Sequence, residues 1–138
     1  MTLEARCDAI EECYEFMLAY AAQGLADDAG SQSGAQVREF LGRAVAALSG
    51  LSGTYEIAIA QEGLHPAERY QAFVEVLDRD ARNSLAAVEL VLAQPAISSQ
   101  LIDNLNASIH LRALLTDLFL LDEIMKLQRL RGKVLTEP

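Results

Sequence analysis

The chain has little of what would support a disulfide scaffold, a sheet or a nucleic-acid surface. Two cysteines in 138 residues are too few for the staples on which small secreted domains rely. Cys7 and Cys13 lie six residues apart. On one helix that spacing sets them about 120° apart around the axis and about 9 Å along it, beyond disulfide reach. They read as small hydrophobes in a reducing compartment, so a cytoplasmic location is expected. Neither a CxxC nor an HxxxH spacing occurs, and no metal or cofactor is expected.

Bases are also scarce, with 11 Lys and Arg against 20 Asp and Glu and a formal net charge of −9. That balance disfavours attraction to phosphate backbones or anionic lipid, which argues against nucleic acid as a partner. A long apolar run is missing too. The richest stretch, Leu111 to Met125, is interrupted by Arg112, Asp117, Asp122 and Glu123 and falls short of the roughly 20 apolar residues that span a bilayer. The opening MTLEARCDAIEECYEF carries acids where a signal peptide has a basic start and an apolar centre. No export signal and no membrane span are expected.

What the chain does have is apolar residues at helical spacing. A hydrophobic fraction of 51% over 138 residues is enough to fill one core, so residues 1–138 are read as a single domain. Leu3, Cys7, Ile10, Tyr14, Met17 and Ala21 form one stripe of a first helix, capped by Thr2 and ended near Gln23 by Gly24. After the loop ADDAGSQSG, a second helix is expected from near Gln36 to Gln61. Its weak point is LSGLSG at 48–53, where each glycine costs about 1 kcal/mol relative to alanine. The stripe Gly42, Ala46, Ser49 and Gly53 on that helix suggests close approach of another helix.

Pro66 suits the first turn of a third helix, which runs to about Gln94, before Pro95. Ser98 or Ser99 can cap a fourth, which continues to about Arg131 because no breaker precedes Gly132. No segment alternates with a period of two between turn signals, so no strand is expected.

Four amphipathic helices with short connections predict an all-α, antiparallel up-down-up-down four-helix bundle. Charge supports this arrangement. Residues 1–30 hold seven acids (Glu4, Asp8, Glu11, Glu12, Glu15, Asp27, Asp28) against Arg6, whereas the chain end holds Lys126, Arg129, Arg131 and Lys133 against Glu137. In that topology the acidic start of the first helix lies beside the basic end of the last, and each cluster suits its helix dipole.

Residues 106–123, NASIHLRALLTDLFLLDE, carry the one candidate for chemistry. Ser108 and His110 followed by Arg112 resemble the phosphoacceptor helix of sensor histidine kinases over about ten of 138 residues. The resemblance implies phosphotransfer at His110 within a helical bundle. Here Leu111 stands where that family has an acid, Ala113 replaces its frequent proline, and no glycine-rich ATP segment is present. A di-iron bundle needs Glu-x-x-His on paired helices, and that sequence is absent. Asp103, His110 and Asp117 recur every seventh residue, so along one helix they stand about 10 Å apart and cannot converge on one atom.

Two further features point to binding. The acids Glu4, Asp8, Glu11, Glu12 and Glu15 crowd one end of the first helix, where like charges four apart repel by a few tenths of a kcal/mol each, roughly. On the last helix Leu114, Leu118, Phe119, Leu120, Leu121 and Ile124 spread apolar surface around more than half the circumference, wider than the roughly 100° one core needs. Asp122 falls within the core arc of Leu111, Leu115, Leu118 and Met125, so it needs a partner or a groove.

The expected function is that of a protein-binding bundle, an adaptor, chaperone-like or regulatory protein; the alternative is a histidine phosphotransfer or metal-binding helical bundle that uses His110 and nearby carboxylates. The binding bundle holds a basic or amphipathic segment of a partner, or a second copy of itself as a homodimer. The surface expected to do this comprises Glu4, Asp8, Glu11, Glu12 and Glu15 with Leu120, Leu121 and Ile124.

Overall fold

The computed structural model describes residues 1–136, with side chains as far as Gly132. Among the described residues the chain is all-helical, with six helices: α1 (Leu3–Ala22), α2 (Gln32–Leu48), α3 (Leu51–Glu62), α4 (Ala67–Leu92), α5 (Ser99–Ala107) and α6 (His110–Thr136). No helix among them is long and apolar enough to cross a membrane.

The first helix begins and ends as its sequence requires. Thr2 Oγ1 accepts from the Ala5 N–H at 3.1 Å, and Gly24 takes a positive φ of 67° just past the end. The second starts earlier than expected, at Gln32, because Ser31 Oγ accepts from the Gly34 N–H at 2.9 Å and caps the first turn. Gly34 lies against the backbone of Asp28: a Cβ there would sit 1.9 Å from the Asp28 carbonyl oxygen. Only glycine fits that crossing.

The helix expected over 36–61 is two helices. Gly50, with φ 83°, turns the chain between α2 and α3. Arg6 occupies the break: its Nη1 donates to the carbonyls of Ala46 at 3.2 Å, Ala47 at 3.0 Å and Ser49 at 2.5 Å. These are last-turn carbonyls with no partner inside their own helix, and a guanidinium from α1 supplies one. Close packing through the small-residue stripe is overturned. Ala46 is exposed, and a methyl group at Gly42 or Gly53 would touch nothing within 4 Å.

The helix expected over 98–131 is also two helices, α5 and α6, parted at Ser108 and Ile109 with no glycine or proline to announce it. Ser108 folds back, its Oγ donating to the Leu105 carbonyl at 2.6 Å. Ile109 takes φ 63°, and its carbonyl accepts the first bond of α6, from the Ala113 N–H at 2.8 Å. Four helices are therefore six, and the four-helix arrangement becomes a matter of how the broken pieces line up.

Buried residues from every helix form one cluster, closed by Leu64 and Ile97 from the connections. α1 packs mainly on α2 and α5, whereas α4 packs on α2, α3 and α6. A polar clasp joins α1 to α5: Tyr20 Oη donates to the Ile97 carbonyl at 2.6 Å, and Ser99 Oγ donates to the Tyr20 carbonyl at 2.6 Å. Nearby, Arg38 donates to Asp28 at 2.8 Å and to the carbonyls of Leu92 at 3.1 Å and Gln94 at 2.9 Å, capping α4 from α2.

Candidate functional site

α6 carries more than one apolar face. Leu111, Leu114, Leu118, Leu121 and Met125 are buried in the chain's own core. Leu121, expected on the binding surface, is 2% exposed and is a core residue instead. By contrast Phe119, Leu120, Leu127 and Leu130 stand exposed at 56%, 50%, 55% and 52%. Ile124 is half-buried between the two sets. From Lys126 to Gly132 every residue is exposed, so about two turns of α6 run past the body that buries the rest.

Two grooves flank the helix. On the α4 side, Leu120, Leu121 and Ile124 face Tyr70, Phe73 and Arg69 across a cleft of about 270 Å³ with almost wholly apolar walls. On the α1 side, Phe119, Leu115 and Arg112 face Tyr14, Glu11 and Glu15 across about 290 Å³. The acidic and apolar halves of the expected surface are thus separated: the α1 acids lie on one flank of α6, and Leu120 with Ile124 on the other.

The acids themselves divide among neighbours. Glu4, Asp8, Glu12 and Glu15 are exposed and Glu11 is half-buried. Glu12 accepts from Arg43 of α2 at 2.5 Å, and that guanidinium also lies 5.0 Å over the Phe40 ring. Glu4, Asp8 and Glu11 meet Asp122 and Arg129 of α6 around a cavity of about 510 Å³. The acidic start of α1 therefore does lie beside the basic end of α6. Arg129, however, makes its two-pronged ion pair with Glu62 of α3. Partial burial, reinforced by Asp8, Asp122 and Glu15, raises the Glu11 carboxyl above its usual range. Lys133 and Glu137 lie outside the residues whose side chains are described.

Asp122 has both things its position demanded. It lines that cavity, and its Oδ1 accepts from the Tyr55 hydroxyl at 2.7 Å. Burial pushes its carboxyl up while the Tyr55 bond and Arg129 pull it down. The partner is a tyrosine of α3, which no local pattern could announce. Cys7 Sγ stands 3.4 Å from the same hydroxyl. Burial pushes the Cys7 thiol up to about 11 and Cys13 up to about 12. Both thiols stay protonated at neutral pH, so neither is an activated nucleophile. Tyr55 is likewise raised by burial and its two partners, and it serves as a pin between α1, α3 and α6.

His110 is exposed as the first residue of α6, while Leu111, in the place of an acid, is buried. Because α5 and α6 are separate helices, Asp103 no longer shares a helix face with His110. Asp117 turns instead toward α4, where Asp80 stands beside it, and the Asp117 Oδ2 is buried without a hydrogen-bond partner. Burial, with Asp80 adding to it, raises Asp117 to about 7. Among the described residues no three His, Cys, Asp or Glu side chains stand close enough to share a metal ion.

Sequence reasoning did not single out Leu127 and Leu130, although they continue the stripe of Leu120 and Ile124 at helical spacing. It also missed the cleft of about 580 Å³ at the α3–α4 turn, floored by Ile59, Leu64 and Val74 and rimmed by Glu56 and Glu75. Compared with family models, curated proteins and solved structures, the chain matches none.

Proposed function

We propose that this protein is a non-catalytic binding bundle that holds an amphipathic helix of a partner polypeptide against α6. In this reading α2 with α3, and α5 with α6, act as two broken limbs, so that four antiparallel limbs build the body and the last one presents the surface. The supporting observation is the concentration of Phe119, Leu120, Leu127 and Leu130, all at least half exposed, on one helix. Contiguous exposed apolar surface beside a groove is the feature by which helix-in-groove recognition works. The flanking acids Glu11 and Glu15 would orient a basic segment and speed its arrival.

The test compares the tagged wild-type chain with a Phe119→Asp/Leu120→Asp variant in capture from the native cytoplasm. A stoichiometric polypeptide held by the wild type and lost by the variant, with circular dichroism and melting unchanged, supports the reading. A variant that captures as well as the wild type removes it. Leu121→Asp is the control: it places an unpaired charge in the core and should unfold the chain.

A further inference from the structure

We propose that the occupant of the α3–α4 cleft is a second copy of the chain: the exposed last turns of α6 from each copy seat in the α3–α4 cleft of the other. The inference deepens the reading of α6 as a binding helix and rests on it.

The two surfaces match in the placement of apolar residues and in charge. The cleft has an apolar floor with one acid on each wall, Glu56 from α3 and Glu75 from α4. Both acids are exposed, and neither belongs to any of the ion pairs among the described residues. The overhang offers Leu127 and Leu130 on one face, and its bases Lys126 and Arg131 are likewise exposed and outside those ion pairs. At about 100° per residue, Lys126 and Arg131 lie about 70° to either side of the line between the two leucines. A helix laid with Leu127 and Leu130 on the cleft floor therefore turns one base toward each wall. Arg129 points away from that face and is held by Glu62 of its own chain.

The occupant comes from another molecule because no described residue of α6 lines the cleft of its own chain. The Arg129 to Glu62 ion pair places the overhang and the end of α3 at the same pole of the fold. Two copies related by a two-fold axis at that pole exchange overhangs reciprocally. Each contact is then made twice, and the assembly closes.

Sedimentation equilibrium of the full chain over a range of concentrations tests this. Twice the chain mass is expected for the wild type, and the chain mass for Leu127→Asp/Leu130→Asp, with unchanged circular dichroism because both leucines are exposed. Glu56→Lys/Glu75→Lys should also give the chain mass. Adding Lys126→Glu/Arg131→Glu to that variant should restore the dimer, a rescue that general destabilisation cannot produce. A wild type that stays monomeric at its highest soluble concentration overturns the proposal. So does a dimer indifferent to the leucine substitutions, or a charge reversal without rescue. In each case capture through Phe119 and Leu120 remains a separate measurement, so the loss of this inference is distinguishable from the loss of the binding role.

Discussion

Ile109 shows how much one residue's backbone can matter. A β-branched side chain at φ 63° carries about 1–2 kcal/mol of strain that glycine lacks. The side chain is 55% exposed, so little burial is lost on removing it. Ile109→Gly should raise the unfolding free energy by about 1 kcal/mol once glycine's greater unfolded freedom is offset, visible as a melting temperature a few degrees higher. Asp117 is a second local cost. Its folded-state value of about 7 lies above the roughly 3.9 of an unfolded aspartate, so the folded chain binds its proton more tightly. Its penalty is absent below about pH 4, grows through the range up to about 7, and is fully present above it. Asp117→Asn should raise the melting temperature at pH 8 and leave it nearly unchanged at pH 4. An equal rise at both would show that the proximity of Asp80 is not the cause.

The two broken helices differ in how they announce themselves. Gly50, at φ 83°, lies where LSGLSG already marked a weak point, and Arg6 from α1 stabilises the break by capping α2. Gly42 and Gly53 have the same composition and no such role. Gly42→Ala should stabilise α2 by about 1 kcal/mol, since the added methyl touches nothing. Gly50→Ala should destabilise by about 1–2 kcal/mol, because alanine disfavours the left-handed region. Chemical denaturation of the two variants tests the pair, and equal effects would mean that the break at Gly50 is not obligatory. The break between α5 and α6 has no comparable mark. Ser108 and Ile109 suit a helix as well as a turn, and the sequence reads straight through them.

At the scale of the molecule, acid should act on the Asp28 hub. Hydrogen bonds from the Ile97 N–H and the Arg38 guanidinium hold its carboxyl down at about 2, below the unfolded value. Its contribution is present above about pH 4 and is lost as pH falls toward 2. With Asp117 acting in the opposite sense at higher pH, the melting temperature should peak between about pH 4 and 6. Asp28→Asn should flatten the acid limb alone. Helical class, the first and third helices, and the acidic and basic poles followed from the sequence because periodicity, caps and charge are local or cumulative properties. The width of α6's apolar surface was legible too, but its division was not: Leu120 and Leu121 are chemically identical neighbours, and only packing against α4 and the core buries one and exposes the other. Tyr55 against Asp122, Asp80 against Asp117, Arg6 on α2 and the cleft beside Glu56 and Glu75 all join residues from different helices. Such meetings depend on how the elements cross, and the tertiary structure alone decided them.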